Sequence, residues 1–234
     1  MFGTAPSTAP AGHCLRVHLL GPPSLDWPGF PLALPRRQAR ALLFYLAAVP
    51  QPVSRDHLCL LFWPDVTETT ARCNLSRLVS ILHSALPDPA LLITSDDQIG
   101  LARQRIWSDT QAFEHLWAAW KSDGLPSCLR QAVALSRGPF LDGFSLPDSP
   151  EYETWITTER QRCERMALQA LAALVEDEAS KGEYASAITH AQHYLEIDDL
   201  NEEIHRRLIE LYALVGDRAA AGRQYEHLVA VLER

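Results

Sequence analysis

Arg72, Ser76, Arg77, Ser80 and His83 are the residues whose types and spacing most suggest a working surface. They lie in the stretch ARCNLSRLVSILHSAL, residues 71 to 86. Successive residues turn by about 100° around a helix axis. On that geometry Arg72, Cys73, Ser76, Arg77, Ser80, His83 and Ser84 share one side, while Ala71, Leu75, Leu78, Leu82, Ala85 and Leu86 form an apolar stripe on the other. A guanidinium donates two parallel hydrogen bonds to a guanine edge, and a hydroxyl bonds base edges or phosphate oxygens. Such a face suits recognition of double-stranded DNA where the surrounding fold carries it into the major groove, and is otherwise an ordinary solvated helix face. Arg36, Arg37 and Arg40 would add phosphate contacts beside it. Asn74 falls near the stripe and is expected to cap or support the fold.

Other chemistry finds less support. The chain contains no GxSxG, HExxH or glycine-rich nucleotide loop. His190 and His193 are three apart on an expected helix, with His205 on the next, but no Cys or carboxylate pattern completes a metal site. Glu176, Asp177 and Glu178 are consecutive, so they splay around a helix and cannot pair as acid and base; a solvated face is expected. Tyr184, Tyr194, Tyr212 and Tyr225 read as core or groove lining. No catalytic residue, metal or cofactor is expected, and the chain is not read as an enzyme.

Positioning the basic face requires a scaffold, and the flanking residues describe one. LRVHLL at 15 to 20, ended by Gly21, Pro22 and Pro23, reads as a strand; SLDW at 24 to 27 and PLAL at 31 to 34 complete a small antiparallel meander. After Pro35, the spacing of Ala41, Leu42, Tyr45, Leu46 and Val49 predicts a helix that stops at Pro50. Ser54 is placed to cap a second helix, halted by Pro64, and Thr69 or Thr70 to cap a third at about 70 to 86. LLIT and QIGLA, joined by Ser95, Asp96 and Asp97, predict a hairpin. Sheet, three helices and hairpin in that order make a winged helix-turn-helix, with the basic face on its third helix.

From Asp109 onward the pattern is helical. Phe113, Leu116, Trp117 and Trp120 share a face, a further helix is expected from Leu125 to Leu135, and three longer helices follow the crossover GPFLDGFSLPDSP. Gly182 and Gly216, Ala185 and Ala219, Ala187 and Ala221, and Leu174 and Leu208 are all separated by 34 residues, the tetratricopeptide period. The fold class expected is thus mainly α: an N-terminal winged helix (α+β), then an all-α tetratricopeptide-like domain. The expected boundaries are a disordered lead-in at 1 to 13, a winged-helix domain at 14 to 106 and a helical domain at 107 to 234.

The net charge of −8 is unevenly spread. Residues 1 to 103 hold eight Arg and no Lys against seven acidic residues, and the remainder holds 13 basic against 22 acidic. The acidity belongs to the second half, which permits a DNA-binding front end. Five scattered cysteines without a CxxC pair fit a reducing compartment. With neither a secretory leader nor a membrane span in the pattern, a cytoplasmic location is expected.

The chain resembles the SARP or AfsR-like family, which joins an OmpR-type winged helix to a bacterial transcriptional activator domain. SRDHLCLLFWPD, ARCNLSRLVSILHSAL and FLDGFSLPDSPEYETW carry the resemblance, which covers residues 15 to 234. It implies a cytoplasmic transcriptional activator that binds DNA through the third helix, with possible self-association on repeated sites. The segment Trp63 to Thr70, with Asp65, Thr67 and Glu68, corresponds to the loop that approaches RNA polymerase in OmpR-type activators. Large members carry ATPase and repeat domains downstream, so the chain is expected to be either a fragment of such a protein or a short member. Many members have Arg at the positions of Ser76, Ile81, His83 and Ser84; here weak, specificity-led binding is expected. The rival expectation is a signalling scaffold or adaptor whose winged helix no longer binds DNA, favoured by the acidic hairpin turn and the sparse Arg face.

Overall fold

The structure, a computed structural model, describes residues 14–28 and 30–233. The expected lead-in at 1 to 13 lies outside the described residues. The chain packs as two interleaved compact units. The first comprises the chain up to Ala112 together with Arg137–Arg160; the second comprises Phe113–Ser136 and Gln161–Arg234.

In the first unit, β1 (Leu15–His18) pairs antiparallel with β2 (Ser24–Trp27), which pairs with β3 (Phe30–Pro31). The third strand is two residues long and precedes most of the expected PLAL run. Beyond it, the Leu32 amide still donates to the Leu25 carbonyl, and Leu34 is buried. Helix α1 (Arg37–Ala48) follows, buried along Ala41 to Ala47. A two-residue strand, β4 (Val53–Ser54), leads into α2 (Arg55–Phe62), where the Ser54 hydroxyl accepts from the His57 amide at 3.2 Å, the expected cap.

Helix α3 (Glu68–Ala85) starts two to three residues earlier than a cap at Thr69 or Thr70 would allow: its cap is Thr67, whose hydroxyl bonds the Thr70 hydroxyl at 2.9 Å instead of an amide. The hairpin of β5 (Leu92–Thr94) and β6 (Gln98–Leu101) is extended by β4, giving the order β4-β6-β5. Finally β7 (Ile106–Ser108) lies parallel to β1 and closes the first sheet as β3-β2-β1-β7. Neither β4 nor β7 is long enough to show alternation in the sequence.

Asp109 opens α4 (Asp109–Asp123), whose first four residues belong to the first unit. Its buried carboxylate accepts from the Leu19, Leu20 and Thr110 amides at 2.8 to 3.0 Å, with His18 and Arg137 nearby. Burial pushes this carboxyl above the usual Asp range, and the Leu20 and Leu19 amides, with His18 and Arg137 beside it, oppose that rise. The crossover residues complete the core: Phe140, Phe144, Tyr152 and Ile156 are buried. The Tyr152 hydroxyl donates to the Ala41 carbonyl, and the Ser149 hydroxyl to that of Phe62.

The second unit is helical. It holds α5 (Pro126–Leu135), the later turns of α6 (Pro150–Ser180), then α7 (Tyr184–Ile197), α8 (Glu202–Leu214) and α9 (Arg218–Leu232). Four helices thus follow the crossover where three are expected, because Gly182, Asn201 and Gly216 each impose a break. Asn201 and Asp217 cap α8 and α9 by accepting from the Ile204 and Ala220 amides. The 34-residue repeat is visible in space. Gly182 and Gly216 both adopt left-handed backbone, at φ of 77° and 82°, after the first helix of each pair. Leu174, Leu208 and Ala187 are buried and Ala221 is half-buried, whereas Ala185 and Ala219 are exposed.

Candidate nucleic-acid interface

The apolar stripe of α3 turns inward as its spacing demands: Ala71, Leu75, Leu78, Leu82 and Leu86 are buried, joined by Val79. Arg72, Cys73, Ser76, Arg77, Ser80 and Ser84 are consequently exposed, with His83 and Asn74 half-buried. The three serines form a ladder. Ser76 donates to the Arg72 carbonyl, Ser80 to that of Ser76 and Ser84 to that of Ser80, at 2.9 to 3.0 Å. Each hydroxyl proton is thereby committed to the helix, and its oxygen faces outward as an acceptor.

The two arginines of this face differ. Arg77 makes no ion pair among the described residues. Arg72 is held on both sides, its Nη2 at 2.7 Å from Asp56 Oδ1 and its Nε at 3.0 Å from Glu68 Oε1. Asp56 is 16 residues away on α2 and no local pattern announces it; Glu68, one helical turn before Arg72, could have been found from the four-residue spacing of opposite charges.

Of the basic residues near α1, Arg36 is exposed. Arg37 is also exposed, donates to the Ser145 hydroxyl at 3.2 Å, and lies with its guanidinium 5.7 Å from the Phe144 ring centre. Arg40 is half-buried over the same ring at 5.9 Å, its Nε enclosed and without a hydrogen-bond partner. Phe144 thus draws two of the three into the first unit's own packing.

The loop between α2 and α3 exposes Asp65, Val66, Thr67 and Glu68. Beneath it, Cys59, Leu60, Trp63, Val66 and Ala71, with Asp56 and Glu68, line a shallow groove of about 330 Å³ that the spacing of acidic residues does not reveal. At the hairpin turn Ser95 accepts from the Gln98 amide, and Arg55 donates to the carbonyls of Ser95 and Asp97 through Nε and its own amide. Asp96 and Asp97 are exposed.

In the second unit the three consecutive carboxylates do splay, each to a different cation, but only two of them are near solvent. Glu176 meets Arg207 and Asp177 meets Lys181. Glu178, expected on a solvated face, is only 1% exposed and binds Arg130 Nε at 3.1 Å and His190 Nδ1 at 2.7 Å, joining α5, α6 and α7. His205 is also buried, its Nε2 bonding the Asp199 carbonyl and its Nδ1 the Gln224 amide. Tyr194 is buried, Tyr184 and Tyr212 half-buried and Tyr225 exposed. No three His, Cys, Asp or Glu side chains come together as metal ligands among the described residues. No described helix is long and apolar enough to cross a membrane.

The sequence model of the bacterial transcriptional activator domain matches residues 109–234, more than half of the chain. A search of curated proteins found no match. Among solved structures, Mycobacterium tuberculosis EmbR in complex with a low affinity phosphopeptide shares the fold, with a TM-score of 0.68 and 23% identity. The similarity covers 93% of this chain and 59% of that one, so the chain spans less than two thirds of its length. The chain belongs to the bacterial transcriptional activator domain family and shares its fold with the corresponding part of EmbR.

Proposed function

We propose that the chain is a sequence-specific, double-stranded DNA-binding regulator, an activator, in which the outward face of α3 enters the major groove. The observation that supports this best is the clean division of α3 into a buried apolar stripe and an exposed face carrying Arg72, Ser76, Arg77 and Ser80, within a complete winged-helix plan. Arg77 donates to base edges or phosphate, the serine oxygens accept from base amino groups, and His83 and Arg36 flank the contact. Arg37 and Arg40 act chiefly through Phe144, by shaping the start of α1. The functional division assigned is winged helix at 14 to 106 and activator domain at 107 to 234, the latter binding protein partners. Asp65, Thr67 and Glu68 offer an acidic and hydroxyl-bearing loop to RNA polymerase, and self-association on repeated sites would raise a weak affinity through effective concentration.

The test is a mobility shift with the Arg72→Ala/Arg77→Ala double variant, on sites recovered by genome-wide footprinting. Loss of the shifted band is expected; an unchanged shift refutes the assignment to α3. The second reading, a scaffold that has lost DNA binding, draws on the exposed Asp96 and Asp97 and on the carboxylates around Arg72. It predicts that footprinting recovers no site while partner proteins still co-purify.

A further inference from the structure

Arg72 and Arg77 stand at opposite edges of the outward face of α3, about 140° apart around the helix axis. Their surroundings differ in a way that sets affinity. The Arg72 side chain is 52% exposed, and the side chains that grip it, Asp56 and Glu68, are 70% and 76% exposed. Both carboxylates are therefore open to solvent, as is the cation they hold. Each also sits in the first turn of a helix, Asp56 on α2 and Glu68 on α3, where the unpaired amide end favours a negative charge. A phosphate approaching Arg72 must compete with the two carboxylates already bonded to its guanidinium. Ion pairs this exposed are weak, so they restrain the arginine without locking it.

We propose that Asp56 and Glu68 form a built-in restraint on DNA affinity: they withhold Arg72 from phosphate, leaving Arg77 as the arginine that reads DNA in the resting chain. This rests on the reading that α3 meets DNA. Arg72 is then a reserve contact, available once its carboxylates are neutralised or drawn away. The thinned charge of the face is deepened by two residues of the same unit.

The experiment uses the full chain and a short, labelled random-sequence DNA duplex, followed by fluorescence anisotropy from low to physiological salt. Four proteins are compared: wild type, Asp56→Asn/Glu68→Gln, Arg72→Ala, and the triple variant. The amide variants keep side-chain size at exposed positions, and circular dichroism melting verifies the fold. The single variants Asp56→Asn and Glu68→Gln supply the same comparison should the double variant melt early. The double variant is expected to bind about fivefold tighter at low salt, and its salt dependence to steepen by about 0.9, the value of one added phosphate contact. With Arg72 replaced by Ala, the same carboxylate changes are expected to give a smaller gain and an unchanged slope. Equal gains in both backgrounds overturn the proposal, because the carboxylates then act by general repulsion alone. Weaker binding by the double variant overturns it in the other direction, since the carboxylates would be orienting Arg72 onto the duplex. Binding by none of the four proteins removes the DNA reading itself, an outcome separate from either.

Discussion

At the scale of single residues, two buried carboxylates govern stability. Glu178 draws Arg130 and His190 onto one buried anion, and Glu178→Gln leaves both with a weaker acceptor. A loss of about 1–3 kcal/mol is expected in urea unfolding; no change would mean that the network contributes nothing net. Asp109 supplies a test by pH. Its native carboxyl is raised by burial, so between the ordinary Asp value and the raised one the folded chain keeps a proton that the unfolded chain has lost. Its contribution is full below the ordinary Asp value and is lost as pH rises through the raised one. Asp109→Asn abolishes that loss, so melting temperatures taken across the acid range should move in favour of the variant, relative to wild type, as pH increases. A constant difference would contradict the assignment. Neither carboxylate's burial was legible in the sequence, because its partners arrive from distant segments: Leu19 and Leu20 lie about ninety residues before Asp109.

At the scale of elements, periodicity exposed most of what was needed. The stripe of α3, the Ser54 cap, the hairpin and the 34-residue repeat all follow from spacing and turn chemistry local to the chain. What escaped was short or non-local: β4 and β7 have too few residues to alternate, and α3 starts after Thr67, whose hydroxyl caps no amide and bonds Thr70. The outward face of α3 was similarly readable, whereas the grip of Asp56 on Arg72 depends on how α2 packs beside α3. The repeat glycines permit a clean test of turn geometry. A Cβ at Gly182 or Gly216 meets nothing within 4 Å, so Gly182→Ala and Gly216→Ala carry only the left-handed backbone penalty. About 1–2 kcal/mol is expected for each in urea unfolding; a cost near zero would show that these turns relax freely.

At the scale of the whole molecule, sequence order and packing order diverge. Residues 137–160 pack with the first unit although they follow two helices that begin the activator domain, so the core beneath α1 is closed from the far side of the chain. Tyr152 is fully buried there, against the Ala41 carbonyl and the Phe62 ring. Tyr152→Ala is therefore expected to cost about 3–5 kcal/mol, and a fragment of residues 14 to 106 to lack a cooperative thermal transition. A sharp melt from that fragment would show that its core closes without the crossover. The charge distribution belongs to this scale as well, a near-neutral first half preceding a strongly acidic second. With so little positive charge to spare, the DNA binding proposed above would depend on a few arginines. The most direct test is a salt titration of wild type and Arg77→Ala on the best footprinted site. The account predicts weaker binding by the variant, with a slope flatter by about 0.9; equal affinity and equal slope would contradict it.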